Sequence, residues 1–389
     1  MDFRLSEQQR ELQEAARRFA RGELVELARE LEAQDEPVPA DMMRRYGELG
    51  FLGINLPEQY GGLGLGHLEA LLVLEQFACV SNAVAFPVFE ALVGPVRTVE
   101  RFGSEALKAA VIPAVVAGEA TVAVSMSEAD AGTALTDLAT RAYDEGGYYR
   151  LTGTKRWTSG AGHARYYVVY CRLSDAPGAG GIGAVLADRD WPGVSFGKRE
   201  ALMGFRGIPT RDIAFDDVRV PKDHLIVPAG GFGRLMSAFG LERCGNATQS
   251  LGLAAGALEH ATAYVEERRA FGKPIADFQA VQLRLAEMAM QVEAARLLIY
   301  RAAANAAHQP DGLPSQLDSS LAKCFANEIV RSVTANGMQI MGGYGYHKDH
   351  GMEQRVRDGF AWGIAGGTTD VQKTNIAAAL IGRRFDQRR

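Results

Sequence analysis

Cysteine, histidine and carboxylate side chains are where chemistry could begin, and their spacing in this chain limits it. His347 and His350 stand three apart, as two metal ligands on one helical face would. Neighbouring Gly351 and Lys348 fit a pair of surface histidines better, and no metal site is expected. Cys79, Cys171, Cys244 and Cys324 lie far apart without a C-x-x-C. They read as reduced, buried thiols of a cytoplasmic protein rather than as a disulfide framework. Gly61-Gly62-Leu63-Gly64-Leu65-Gly66 has the glycines of a phosphate loop, but no strand precedes it, so a Rossmann site is not expected. Arg383, Arg384, Arg388 and Arg389 form the one basic spot in a chain of net charge -5. That balance gives nucleic acid no basic face, and the arginines read as a solvated or subunit-contacting helix end. Glu242 beside Arg243 is by itself an ordinary surface pair, although adjacent helical residues do not face each other.

The elements that must position any site follow from periodicity. A chain of 389 residues, 47% hydrophobic and 23% charged, is that of an ordinary globular protein with two or three domains. Met1-Asp2-Phe3-Arg4 opens into an amphipathic helix with no signal or transit peptide ahead of it, and no apolar run is long enough to span a bilayer. Ser6 to Gln9 forms a capping box, and Leu12, Ala16, Phe19, Leu24 and Leu27 keep helical spacing. Pro37 and Pro39 end that region, Asp41 is placed to cap a helix running to Gly50, and helical periodicity returns over 68–77 and 105–117. After Gly118, strand-like runs occupy 148–158, 166–173, 183–187 and 212–220. From Gly233 the pattern is helical again. Val281, Leu285, Met288, Val292, Ala295 and Ile299 form a long apolar stripe, and 317–333 follows a break at Asp311 to Pro314. The reading is an α+β multidomain protein: an N-terminal all-α domain (1–120), a middle β-domain (121–230) and a C-terminal helical domain (231–389).

Five segments in order then resemble the acyl-CoA dehydrogenase family across nearly the whole chain. They are Ser127 to Thr133, Gly153 to Ser159, Met203 to Arg206 leading to Asp217-Val218-Arg219-Val220-Pro221, Arg268 to Ile275 with Phe278-Gln279, and Met338 to Tyr346 with Arg357-Asp358. The resemblance implies a middle β-barrel between helical domains, the last a four-helix bundle, in a homotetramer or homodimer with FAD between barrel and bundle. Met126, Ser127, Gly132 and Thr133 match the loop that reaches the flavin ring and pyrophosphate, and Trp157 and Ser159 the strand against the ring. Arg268, Phe271 and Gln279 match residues that a second subunit offers to the FAD diphosphate and adenine side, where a planar guanidinium suits phosphate. Gln339, Gly342 and Gly343 match a close backbone approach to the cofactor, and Thr368 and Asp370 complete its site.

That family removes an α-proton from an acyl thioester with a carboxylate while a β-hydride leaves for flavin N5. Most members carry the carboxylate just before a C-terminal Gly-Thr; here Ala365-Gly366-Gly367-Thr368 puts glycine there. In the isovaleryl- and long-chain branches a glutamate preceding an arginine takes the role, and Glu242-Arg243 matches it. Glu242 is therefore the expected base and Glu90 a distant second candidate. The Gly366 backbone N–H is the expected donor to the thioester oxygen. Arg243 would place Glu242 or the CoA, and Thr133, Ala365 and Gly367 are further substrate contacts. Ala365 stands where straight-chain enzymes carry tyrosine, implying a branched, alicyclic or bulky acyl group. The expected partners are an acyl-CoA, or an acyl carrier protein thioester, and an electron-transferring flavoprotein, with no nucleic acid and no membrane. A desulfinase-like lyase on the same scaffold and a non-catalytic thioester-binding subunit remain open.

Overall fold

The computed structural model describes residues 4–383 and 385. Met1 to Phe3, Arg384, Arg388 and Arg389, named above, lie outside the described residues. Seven helices come first: α1 (Glu7–Glu23), α2 (Val25–Gln34), α3 (Ala40–Glu48), α4 (His67–Val80), α5 (Asn82–Leu92), α6 (Pro95–Phe102) and α7 (Glu105–Val116). The Ser6 capping box forms with both reciprocal hydrogen bonds. Asp41 does not cap α3: the helix starts one residue earlier, after Pro39, which leaves Asp41 in its first turn. Phe19, Tyr46, Phe51 and Phe77 meet edge-on and tilted at 5.2 to 5.8 Å, so α1, α3 and α4 close on one aromatic centre. Helix α5 shows no amphipathic period because all eleven of its residues are buried.

The middle block holds β1 (Val122–Ser125), β2 (Arg141–Asp144), β3 (Tyr148–Ser159), β4 (Tyr166–Arg172), β5 (Ile182–Asp188), β6 (Val194–Phe196), β7 (Thr210–Pro221) and β8 (Leu225–Val227). They make one eight-stranded sheet in the order β6-β7-β3-β2-β4-β5-β8, with β1 parallel to β4. Strands β4 and β5 are buried on both faces, and the period of two sends their side chains into two different cores. Tyr167, Val169, Cys171, Val185 and Ala187 fill the interior of the sheet domain. Val168, Tyr170, Ala184 and Leu186 join the core shared with the helices. The sheet is thereby fixed against the bundle rather than tethered to it.

The third block is α8 (Phe232–Glu267), a short hairpin β9 (Arg269–Ala270) with β10 (Lys273–Pro274), then α9 (Gln279–Ala306), α10 (Gln316–Met341), α11 (Gly343–Tyr346), α12 (Met352–Asp358) and α13 (Thr369–Ile381). Helices α8, α9, α10 and α13 pack as a bundle, with α4 of the first block also against α8. In the α9 stripe Met288, Val292, Ala295 and Ile299 are buried, while the first turns near Val281 and Leu285 are only partly covered. All three blocks meet at Trp362, whose ring lies 5.2 Å from Phe89 of α5 and 5.1 Å from Phe205 of the segment before β7.

Candidate functional site

A cavity of about 1590 Å³ opens where the three blocks meet. Helix α8 crosses it, and Glu242 and Arg243 line it from about three turns into that helix. Both are buried, Glu242 to 7% exposure. Among the described residues the Glu242 carboxyl has no hydrogen-bond partner; it is open to the cavity alone. Burial pushes its pKa up to about 8, against the pull of the Lys323 ammonium and the Arg243 guanidinium. A base for a weakly acidic C–H benefits from such a value, because a carboxylate deprived of water holds a proton better once it has taken it.

Lys323 of α10 is fully buried. Its Nζ donates to the carbonyl oxygens of Ala365 at 2.8 Å and Trp362 at 2.9 Å, and to Asn246 Oδ1 at 3.3 Å. Burial lowers the Lys323 pKa to about 7, with Arg243 adding repulsion and Glu242 opposing it. Asn246 in turn donates from Nδ2 to the backbone oxygen of Glu242 one helical turn before it, at 2.8 Å. One ammonium therefore anchors the turn carrying Gly366 and, through Asn246, the helical turn carrying Glu242. Gly366 is confined: its φ is +65°, and a Cβ there would stand 2.3 Å from Asn246 Oδ1. No side chain fits at 366 while Asn246 stays in place. Ala365, Gly366, Gly367 and Thr368 all line the cavity, and Thr368 also caps α13 by accepting from the Val371 amide at 3.3 Å.

The opposite wall comes from the sheet. Met126, Ser127, Gly132 and Thr133 follow β1 into the cavity, and Trp157 and Ser159 reach it from the end of β3. Lys155 holds the two segments together, its buried Nζ donating to Met126 O at 2.9 Å and Glu128 Oε1 at 2.8 Å. Burial works against the Glu128 carboxylate, but the Lys155 charge and the amide of Ala139 outweigh it and keep its pKa below the usual range. Trp157 sits at φ +62°, where the register between β3 and β7 slips, and turns a 51% exposed ring to the cavity. The Ser127 and Thr133 hydroxyls have no hydrogen-bond partner among the described residues. A large apolar ring and free hydroxyls facing a void of this size fit an aromatic cofactor bearing phosphate, as FAD does.

Other candidates lie elsewhere. Arg268, Phe271, Gln279, Gln339, Gly342, Gly343 and Asp370 do not line the cavity. Arg268 caps the far end of α8 with its guanidinium 5.6 Å from the Tyr344 ring, which puts it beside Gly342 and Gly343. Phe271, at the tip of the β9–β10 hairpin with φ +51°, is 95% exposed. Arg268, Gly342 and Gly343 thus lie away from the cavity, whereas Asp370 stands in the chain between cavity-lining Thr368 and Val371. Glu90 of α5 does line the cavity, beside Phe86 and Phe89. The sequence reading missed Asn246, Lys323 and Lys155 as site residues. Lys155 stood in a motif already singled out, whereas Asn246 and Lys323 carried no local signal. Among the described residues no group of His, Cys, Asp and Glu could hold a metal ion, and His347 pairs with Asp349. The Gly61 to Gly66 loop is tight packing, since a Cβ on Gly62 would meet Leu56 O at 2.1 Å.

Comparison with known proteins agrees with this layout. Residues 6–119, 123–218 and 229–381 match the acyl-CoA dehydrogenase N-terminal, middle and C-terminal domains. The chain is 36% identical over 392 residues to a 3-sulfinopropanoyl-CoA desulfinase of Paraburkholderia xenovorans, covering 100% of this chain and 99% of that one. It is 35% identical to the probable acyl-CoA dehydrogenase FadE25 of Mycobacterium tuberculosis, over 97% of each chain. It superposes on a glutaryl-coenzyme A dehydrogenase in complex with glutaryl-CoA with a TM-score of 0.95, at 33% identity, over 99% of this chain and 98% of that one. The chain belongs to the acyl-CoA dehydrogenase family, flavoproteins that act on acyl-CoA thioesters with FAD.

Proposed function

We propose that the protein catalyses α,β-dehydrogenation of an acyl-CoA thioester, with Glu242 as the base. FAD, when bound between the sheet and the bundle, supplies the acceptor for the β-hydrogen and its electron pair. The chain's own residues do the rest. Glu242 takes the α-proton, and the electron pair left behind becomes the Cα–Cβ double bond as the β-hydride departs. The Gly366 N–H faces the developing negative charge on the thioester oxygen, and the buried wall of α5 and Trp362 keeps water from competing for the proton. The observation that carries this reading is the buried, unpartnered Glu242 carboxyl, raised to about 8, on a helical turn whose backbone is tied through Asn246 and Lys323 to the turn of Gly366. The small Ala365 in the cavity wall beside Gly366 leaves room for the acyl group and supports a branched, alicyclic or bulky substrate.

A second reading, desulfination of a sulfinoacyl-CoA, in which the C–S bond breaks, water carries the sulfur away as sulfite, a proton replaces it on carbon and no net hydride is transferred, is favoured by one feature. Arg243 is buried in the cavity wall with its Nε unpaired, a cation suited to an anionic leaving group, and the desulfinase relatives run the full length of the chain. Anaerobic mixing of the FAD-loaded enzyme with acyl-CoAs decides between them. Bleaching of the oxidised flavin is the expected result; product formed without bleaching would replace dehydrogenation by the lyase.

Several further assignments belong to this proposal. The domains divide near residues 120 and 230, because β1 starts at Val122 and α8 at Phe232. Arg268, Phe271, Gln279, Gln339, Gly342 and Gly343 serve the FAD of a neighbouring subunit, and Asp370, next to cavity-lining Thr368 and Val371, completes with Thr368 the site in this chain's own cavity. Exposed Leu283, Met290 and Leu297 repeat every seven residues along α9, an apolar seam that suits a homotetramer or homodimer. Electrons pass to an electron-transferring flavoprotein, and four free, buried cysteines suit a reducing cytoplasm. No helix among the described residues is long and apolar enough to cross a membrane.

A further inference from the structure

The wall that α5 turns towards the cavity is apolar except at one point. Phe86, Phe89 and Glu90 fall at i, i+3 and i+4, so they share one helical face, and all three line the cavity. Phe86 stacks on Phe89 at 5.7 Å, and Phe89 packs on Trp362. Glu90 is the sole charged residue of this eleven-residue, wholly buried helix, and it is 6% exposed. Its carboxyl has no hydrogen-bond or ion-pair partner among the described residues. Leaving a carboxyl unpaired in such a place costs a few kcal/mol even when it is neutral. A leucine would pack there more cheaply if the position served the fold alone.

The sheet side makes room for this group. Gly160 follows β3 with φ +81°, and a Cβ on it would come within 3.2 Å of Glu90 Oε1 and 3.3 Å of Ala123 Cβ. The carboxyl is thus seated against the sheet on one side and open to the cavity on the other.

Resting on the acyl-thioester reading above, we propose that Glu90 is a specificity-determining polar subsite in the acyl cavity, and that it recognises an uncharged oxygen function, a hydroxyl or a carbonyl, on the acyl group. Its protonation state suits that ligand. Burial raises the Glu90 pKa well above the ordinary carboxylate value, and the Glu242 charge raises it further. Glu242 has Lys323 of α10 and Arg243 of α8 to draw its pKa back down, and Glu90 has no such cation. Tyr167 of β4, which the Glu90 charge reaches, is itself raised by burial. Of the two carboxyls Glu242 is the easier to ionise and Glu90 the harder, so the base and the recognition group are told apart by their neighbours. A neutral carboxylic acid both donates and accepts, which pairs it with a hydroxyl or a carbonyl. A terminal carboxylate or sulfinate at Glu90 would instead meet a buried carboxyl with no cation acting on it, Arg243 serving Glu242.

The test uses the FAD-loaded enzyme and acyl-CoAs of matched length: the unsubstituted chain, its isomers hydroxylated beyond the β-carbon, and the terminal dicarboxylate. The readouts are kcat/KM and the shift of the flavin spectrum on binding. At least one hydroxyacyl isomer is expected to exceed the parent by about tenfold or more in kcat/KM, the size of discrimination a buried polar group imposes. Glu90→Leu should invert that ratio, and Glu90→Gln, which can still donate and accept, should keep most of it. A preference for the unsubstituted chain that Glu90→Leu leaves unchanged would mean that only water meets Glu90, and would overturn the subsite while leaving the dehydrogenase reading intact. A preference for the dicarboxylate would overturn it too. If no acyl-CoA perturbs or bleaches the flavin in any variant, both readings fall together.

Discussion

Around Glu242 the flanking cations are buried and each points at a defined acceptor or wall; around Arg268 the polar groups stand in open solvent. Lys323 donates to three oxygens in a dry interior, and Asn246 passes that anchoring to Glu242. Among the described residues the Arg268 guanidinium has only the face of Tyr344, and Phe271 at the hairpin tip meets the Phe278 ring 6.0 Å away. The first region, built from one chain, suits the proposed proton transfer. Among the described residues the second has donors and an aromatic ring with few partners, which suits the proposed contact with another copy. Proton chemistry and cofactor retention should therefore fail separately.

Glu242→Gln tests the first region most sharply. It removes the proton acceptor while keeping the shape, so the rate of flavin bleaching in a single turnover should fall by about 10²- to 10⁴-fold with FAD content unchanged. A near-normal rate would end the role of Glu242. Restoring the glutamate usual in the family, by Gly366→Glu, should not compensate. Its Cβ would meet Asn246 Oδ1 at 2.3 Å, at a φ of +65° that glutamate rarely adopts. A destabilisation of roughly 1 to 3 kcal/mol in thermal unfolding is expected, with no recovery of activity in the Glu242→Gln background. Shortening Asn246 as well, with Asn246→Ala, should relieve the contact part of that loss and leave the strain of φ.

Lys323→Met gives a smaller effect with a distinctive pH signature. Glu242 works as the anion, so kcat/KM should rise with pH through about 8 and be lost below it. Lys323 is itself lowered to about 7, so its charge is already fading where Glu242 titrates; removing it should move that rise to higher pH by at most about one unit, which costs up to about tenfold at neutral pH. A loss of rate with the midpoint unmoved would reduce Lys323 to a purely structural tie.

The sequence revealed these regions unequally, for physical reasons. Long periodic elements such as α1 and α9 were legible because one face is wet and the other dry. Helix α5 was not, because burial on every side erases the period that reveals a helix. The short strands β1, β2, β6 and β8 were missed likewise: three or four residues hold too little alternation to read. Glu242 and Gly366 could be paired from motif order, but nothing local distinguishes Asn246 and Lys323 from any polar residue on a helix. Their meaning is the contact between α8, α10 and the 362–366 turn, which is formed only on folding.

Arg268→Ala probes the second region, with the smallest effect expected. Losing one charge-assisted contact to phosphate weakens binding by about 1.5 to 3 kcal/mol, roughly 10- to 100-fold in the FAD dissociation constant, and less where neighbouring donors share the load. Saturating FAD should restore the rate, and the pH midpoint set by Glu242 should stay where it was, because Arg268 lies at the opposite end of α8 from the cavity. The dependence on a second copy is checked in the same preparation. Met290→Glu places a charge in the exposed apolar seam of α9, and should lower both the sedimentation coefficient and the FAD content together. If the seam variant dissociates yet keeps its FAD as tightly as before, Arg268 and its neighbours do not serve another subunit's cofactor, and the contrast between the two regions loses its meaning.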